Sequence, residues 1–183
     1  TAGDLTINAD GVLQASGQNL AAGSTTLTGS SVDLSGSQTG AANIAITANT
    51  GDVVTNKAVI SASNVLAITA NANNAQSLVN SQGQLVGGQL QLNVANLNNA
   101  SGEIVQTGTG DTVITTGKLD NTAGRIAANS ANLALNATVF TNVNGKLEHA
   151  GAGVLAINAD QFNNQFGKIT GNGKLDITAA TFD

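Results

Sequence analysis

The chain contains no proline, cysteine, methionine, tryptophan or tyrosine. Without cysteine there is no disulfide framework, no thiolate metal site and no thiol nucleophile. That absence does not fix the compartment, but it suits an exported chain that must avoid cross-linking in an oxidising space. Charge is also scarce. Only 9% of residues are charged, against about a quarter in ordinary domains. The formal net charge is −5, and the six basic residues are scattered, with only Lys57 before Gln89. Nucleic acid and anionic membrane both require clustered Lys and Arg, so neither is an expected partner. No apolar run approaches the roughly 18 residues of a spanning helix, so no membrane insertion is expected. No signal-peptide pattern follows Thr1, and the chain reads as an interior piece of a longer protein.

Low charge does not make this chain disordered. Disorder combines high net charge with low hydrophobicity, whereas 41% of these residues are hydrophobic. Alanine, valine, isoleucine and leucine carry that fraction, beside 22 glycines and 24 asparagines. Small and β-branched side chains suit a thin core of stacked strands.

A repeated pattern organises the second half. It reads large apolar, any, Asn, any, any, Gly, any, aliphatic. The copies are Leu78-x-Asn80-x-x-Gly83-x-Leu85, Leu97-x-Asn99-x-x-Gly102-x-Ile104, Leu119-x-Asn121-x-x-Gly124-x-Ile126, Phe140-x-Asn142-x-x-Gly145-x-Leu147 and Phe162-x-Asn164-x-x-Gly167-x-Ile169. The Asn-to-Asn steps are 19, 22, 21 and 22 residues, a solenoid period. A second element alternates apolar and polar residues, as in Leu66-Ala-Ile68-Thr-Ala70 and Leu155-Ala-Ile157-Asn-Ala159. Such alternation indicates strand. Its copies start at 5, 25, 44, 66, 90, 112, 133, 155 and 175, those at Thr25-Thr-Leu27 and Thr112-Val-Ile114 being degenerate, giving eight repeats of 19 to 24 residues. The longest repeat holds a polar insertion at 71–76, expected to bulge from a corner.

The expected fold is all-β, a parallel β-helix of about eight coils stacked at about 4.8 Å. Residues 1–65 form irregular coils and residues 66–183 regular ones, continuous as one rod. In Phe162-x-Asn164 the strand period turns the Asn inward with the Phe. The inward asparagines are expected to satisfy one another as a ladder between coils. The glycine three residues on is expected to supply the positive φ of the corner. Phe140, Phe162 and Phe182 fall at core phase, and Phe166 alone is exposed.

No residue is assigned to catalysis, to a cofactor or to a metal. The eleven acidic residues are scattered by repeat phase; Asp10 and Asp160 share a phase but lie some seven coils apart. The lone His149 reads as an exposed loop residue beside Glu148. Thr107-Gly-Thr-Gly-Asp111 lacks the lysine and helix of a phosphate loop and reads as a corner. The sequons at Asn99 and Asn136 are those expected by chance in so asparagine-rich a chain. The position after the corner glycine holds Gln84, Glu103, Arg125, Lys146 and Lys168, a solvated edge column with Glu103 beside Arg125 and Lys146 beside Lys168.

The cycle of Leu-x-Leu-x-Ala followed by Phe/Leu-x-Asn-x-x-Gly-x-Ile resembles the interior repeats of filamentous haemagglutinin-like exoproteins. These are the secreted partners of bacterial two-partner secretion, including adhesins and the proteins of contact-dependent growth inhibition. The match is close over 66–183 and loose over 1–65, where Val54-x-Asn56 has no glycine at the expected place. The resemblance implies a right-handed β-helix, an outer-membrane transporter as export partner, and a filament at the surface of a Gram-negative cell. It transfers no catalytic residue. The function it implies is a structural shaft presenting adhesive or toxin domains elsewhere. Two alternatives are a segment that itself binds a host or neighbouring-cell receptor or glycan, and a polysaccharide-degrading β-helix enzyme with two carboxylates close together on one face.

Overall fold

A chain without proline can donate a backbone N–H at every residue after the first, so every segment can join a sheet. The computed structural model describes residues 1–70 and 75–183, and among them are nineteen strands and no helix. Every recorded strand pairing is parallel. The strands form two sheets. One stacks Leu5–Asn8, Ser24–Gly29, Gln38–Ala48, Val59–Ala70, Gln84–Val94, Glu103–Gln106, Arg125–Ala128, Lys146–His149 and Lys168–Gly171, with Gln18–Leu20 also pairing Gln38–Ala48. The other stacks Leu13–Gln14, Val32–Asp33, Val53–Val54, Ser77–Val79, Asn96–Asn98, Thr112–Asp120, Leu133–Thr141, Val154–Asn163 and Lys174–Phe182. The chain is therefore a β-solenoid of about eight turns. Of the insertion expected at 71–76, residues 71–74 lie outside the described residues; Gln76 is buried and donates from Nε2 to the Thr50 carbonyl at 3.2 Å.

Each coil has three faces. The first carries the Leu-x-Leu element, the second the Phe/Leu-x-Asn element and the third the segment after the corner glycine. On the first face Leu5, Thr25, Ile44, Leu66 and Leu90 align in consecutive coils, as do Thr112, Leu133, Leu155 and Leu175. Inward residues such as Leu66, Ile68, Leu78 and Leu85 are fully buried, each contributing about 1.5–3 kcal/mol. Phe140 and Phe162 stack with ring centroids 4.7 Å apart, and Phe162 and Phe182 at 5.1 Å. Phe182 covers Phe162 but is itself 57% exposed, because it lies in the last coil of the stack.

The first face changes partners midway. In the strands 38–48, 59–70 and 84–94 it is continuous with the preceding third face. In 112–120, 133–141, 154–163 and 174–182 it is continuous with the following second face. At the changeover no ladder joins 90–94 to 112–116 among the described residues, so the even stack read from the sequence contains a fault. The buried Gln106 amide occupies one end. The Leu90 N–H donates to its Oε1 at 3.0 Å, and its Nε2 donates to the Gly110 carbonyl at 2.5 Å. At the other end the Gly117 N–H reaches the Ala95 carbonyl at 2.7 Å.

Candidate functional site

The inward asparagines form the expected ladder. Nδ2 of Asn80 donates to Oδ1 of Asn99 at 2.8 Å, and the links Asn99–Asn121, Asn121–Asn142 and Asn142–Asn164 are each 2.7 Å. Asn80, Asn99, Asn121 and Asn142 are fully buried. Asn80, Asn99, Asn121 and Asn164 also donate to the carbonyl of their own corner glycine, Asn80 to Gly83 at 3.2 Å for example. A buried primary amide with both ends engaged avoids the desolvation cost of an unpaired one. The ladder begins at Thr55, whose hydroxyl donates to Asn80 Oδ1 at 2.8 Å. Val53 aligns with Leu78, so Thr55 holds the ladder position; the phase set from Val54-x-Asn56 was displaced by one residue.

The corner works differently from the sequence expectation. The left-handed residue is the one before the glycine: Gln82, Ser101, Ala123, Asn144 and Phe166 have φ of 58, 55, 52, 53 and 56°. The glycine is required by close approach. A Cβ at Gly102, Gly124, Gly145 or Gly167 would overlap the carbonyl oxygen of the ladder asparagine one coil earlier. It would also strike the Oδ1 of its own asparagine.

On the outside of the third face, Gln84, Glu103, Arg125, Lys146 and Lys168 align coil by coil. Arg125 Nη1 donates to Glu103 at 2.5 Å, and Gln84 Nε2 to the same carboxylate at 2.7 Å. Glu148, which the sequence did not place here, closes the cluster: Arg125 Nη2 and Nε reach its Oε2 at 2.7 and 2.9 Å. The Gln84 amide is the strongest influence holding the Glu103 carboxyl below its ordinary value, assisted by Arg125 and opposed by burial. For Arg125 burial is the largest single influence and lowers the pKa, but the bonds and charges of Glu148 and Glu103 outweigh it and hold the guanidinium above its ordinary value. These side chains are about a third exposed, so each pair contributes under about 1 kcal/mol.

Two carboxylates thus meet on one face, within the roughly 10 Å span of a hydrolytic pair. The guanidinium between them engages both. A glycosidase pair needs one carboxyl held protonated as the acid, whereas Glu103 is shifted towards ionisation. The geometry is that of an ion-pair cluster bridging four coils. Most other acids are engaged at corners. Asp4, Asp52 and Asp111 accept from the backbone N–H of Ser24, Ser77 and Asn132 in the next coil, at 2.7, 2.7 and 2.9 Å. Asp10 and Asp160 are exposed.

His149 is not an exposed loop residue. It ends the strand Lys146–His149 and is 2% exposed. Its Nε2 lies 2.9 Å from the Ser130 carbonyl, which can only accept, so Nε2 carries the proton. The signal was present: alternation from the inward Leu147 turns His149 inward as well. It shares its column with Ala128 and Gly171, whose small side chains leave room for the ring. Phe166 is 81% exposed, as expected. The Thr107–Asp111 segment is a corner, its carbonyls at Gly108 and Gly110 accepting from Gln106.

The ladder and the corner glycines recur coil by coil. The haemagglutinin repeat model matches residues 67–123 and 114–183. The chain is 52% identical to a protein named toxin CdiA from Yersinia pestis over 102 residues, 56% of this chain and 3% of that protein. It is 42% identical to one named tRNA nuclease CdiA-2 from Burkholderia pseudomallei over 89 residues, 48% of this chain and 3% of that protein. No solved structure matches. The matched residues carry the asparagine ladder, the corner glycines and the stacked phenylalanines, and the chain belongs to the haemagglutinin-repeat family, as a repeat region of a filamentous haemagglutinin-like protein.

Proposed function

We propose that this chain is a stretch of shaft in a secreted surface filament of a Gram-negative bacterium, exported through an outer-membrane two-partner transporter. It holds adhesive or toxin modules, located elsewhere in the parent protein, away from the cell. The observation that carries this reading is the engagement of the recurring coil positions in coil-to-coil bonding. The inward asparagines bind one another, the corner acids bind the next coil's backbone, and Arg125 ties Glu103 to Glu148. Cohesion of that kind extends a rod by adding neighbours. The relatives are named for a toxin and a tRNA nuclease, and the chain spans about 3% of either; we assign that chemistry to other segments of such proteins, and no catalytic role to this one.

The test is a change of shaft length in the parent protein. Duplicating residues 112–174 adds three coils and is expected to lengthen the filament by about 14 Å, with attachment by the distal modules unchanged. Removing the same block is expected to shorten it equally and harmlessly. Loss of attachment on removal, with the distal modules still displayed, would instead favour direct receptor or glycan binding by these coils.

A further inference from the structure

The three faces differ in what they present to solvent. The third carries Glu103, Arg125, Lys146, Glu148 and Lys168. The second carries Asp33, Lys118 and Asp120. The first is different. Its outward position after the inner pair of apolar residues is Asn8, Thr28, Thr47, Thr69, Asn93, Thr115, Asn136, Asn158 and Thr178: threonine or asparagine in every coil. The outward position two residues earlier is Thr6, Thr26, Ala45, Ala67, Gln91, Val113, Ala134, Ala156 and Asp176. Of these two columns only Asp176, in the last coil, is charged.

The two columns are nearly free of charge, and the face holds two open hollows, one lined by Thr69, Asn93, Asp111 and Val113 and the other by Thr115, Asn136, Asn158 and Asp160. The side chains of the face are mostly small, and part of the column is already ordered as a ladder. Asn158 Nδ2 donates to Asn136 Oδ1 at 2.9 Å, and Asn136 Nδ2 to Thr115 Oγ1 at 3.2 Å. Nine rungs at about 4.8 Å, five before the fault and four after it, and five residues at about 3.3 Å give a face of roughly 700 Å² in all. Standard interfaces bury about 600–1,000 Å² per partner.

We infer that this neutral threonine–asparagine face is where a second copy of the chain docks, sheet against sheet. Three features select that occupant. On either side of the fault, from Asn8 to Asn93 and from Thr115 to Thr178, the two columns repeat at the pitch of the coil, and another coil stack has the same pitch, so rungs within each block can meet equivalent rungs. Ladders of small and amide side chains interdigitate when two such sheets face each other at about 10 Å. The other faces carry charged columns, whereas within these two columns two copies bring no like charges together before Asp176. The same patch is used on both copies, so the pair closes as a dimer. In the shaft reading, on which the biological use of this dimer rests, filaments would pair side by side.

Sedimentation velocity of the 183-residue chain across a concentration series tests the inference. A doubling of mass with rising concentration is expected, and added salt should not reverse it. Thr47→Lys combined with Thr69→Lys should weaken the dimer by about a hundredfold or more, since like charges then face each other. Thr141→Lys, on the second face, should leave it unchanged. Circular dichroism melting of each variant separates loss of docking from loss of fold; a double variant that melts with the parent yet stays monomeric supports the inference. A monomeric mass for the unmodified chain up to about 1 mM would overturn it. So would a dimer lost with Thr141→Lys but kept with the paired lysines, or a monomer that binds a neutral polysaccharide through this face. A shaft that failed its length test would leave these measurements unaffected, so the two readings fail separately.

Discussion

Two parts of the molecule build the same coil from different materials. Where the second face turns inward, the early coils hold Ala15, Leu34 and then Thr55; the later ones hold Asn80, Asn99, Asn121, Asn142 and Asn164. The corner changes in step. In the early coils the left-handed residue is Gly36 (φ 72°) or Lys57 (φ 57°), followed by Ser37 or Ala58. In the later coils it is a non-glycine residue followed by glycine. The lesson is a coupling. The left-handed turn is common to Gly36, Lys57 and the five later corners, and almost any side chain can occupy it. Glycine accompanies the ladder because the asparagine Oδ1 fills the space a Cβ would need. Leu34 holds its coil by burial alone; Asn121 holds its coil by bonds along the rod.

That contrast can be broken at several points. The largest effect is expected from Leu34→Ala, which empties a fully buried site and should cost about 2–5 kcal/mol in urea unfolding. Leu34→Asn should cost as much or more, since no inward amide is stacked on either side of it. If it is tolerated, the ladder needs no partners and the contrast dissolves. Gly124→Ala should cost about 1–3 kcal/mol through overlap with the Asn99 carbonyl, whereas Ala58→Gly should cost no more than about 1 kcal/mol. Equal costs at the two corners would contradict the coupling. Asn121→Ala should also cost about 1–3 kcal/mol, because it leaves Asn142 Oδ1 without its donor. The reverse experiment is Thr55→Asn with Ala58→Gly. The pair is expected to extend the ladder and raise the urea midpoint, while Thr55→Asn alone lowers it.

The smallest effect concerns pH. The Glu103 carboxyl is depressed, so its contribution is fully present above the ordinary value of 4.5 and is lost as pH falls through its lower value in the folded chain. With the pair partly solvated the loss should be under about 1 kcal/mol. Melting curves of the parent and Glu103→Gln, taken from neutral pH downwards, should converge below pH 4.5. Curves that stay parallel would show that the cluster contributes nothing to the fold.

Much of this was legible in the residues. The spacing of the Leu-x-Leu elements gave every aligned pair on the first face within each part of the stack, because a one-residue slip would turn the apolar set outwards. The ladder followed from the same parity: Asn164 must share the inward side with Phe162. Placing Glu103 beside Arg125 needed only the repeat. Other features were not legible. Glu148 joins Arg125 on a diagonal, one coil and two residues away, and that depends on how far a guanidinium reaches. His149 was misplaced by reading Glu148–His149 as loop, although the alternation from Leu147 predicted its inward turn. The fault between 90–94 and 112–116 was not legible from the pattern: its copy at Thr112-Val-Ile114 is degenerate, but so is the copy at Thr25-Thr-Leu27, which stacks without a fault. The Gln106 side chain folds into the corner beside it.

The sequence by itself determined the period, the parallel stacking and which side chains face inward, since these follow from two-residue alternation and a near-constant repeat length. Only the tertiary structure decided which atom fills each corner, where the stack is faulted and which face has columns nearly free of charge. Those depend on contacts between coils about twenty residues apart, at distances of a few tenths of an ångström that a pattern of residue types does not encode.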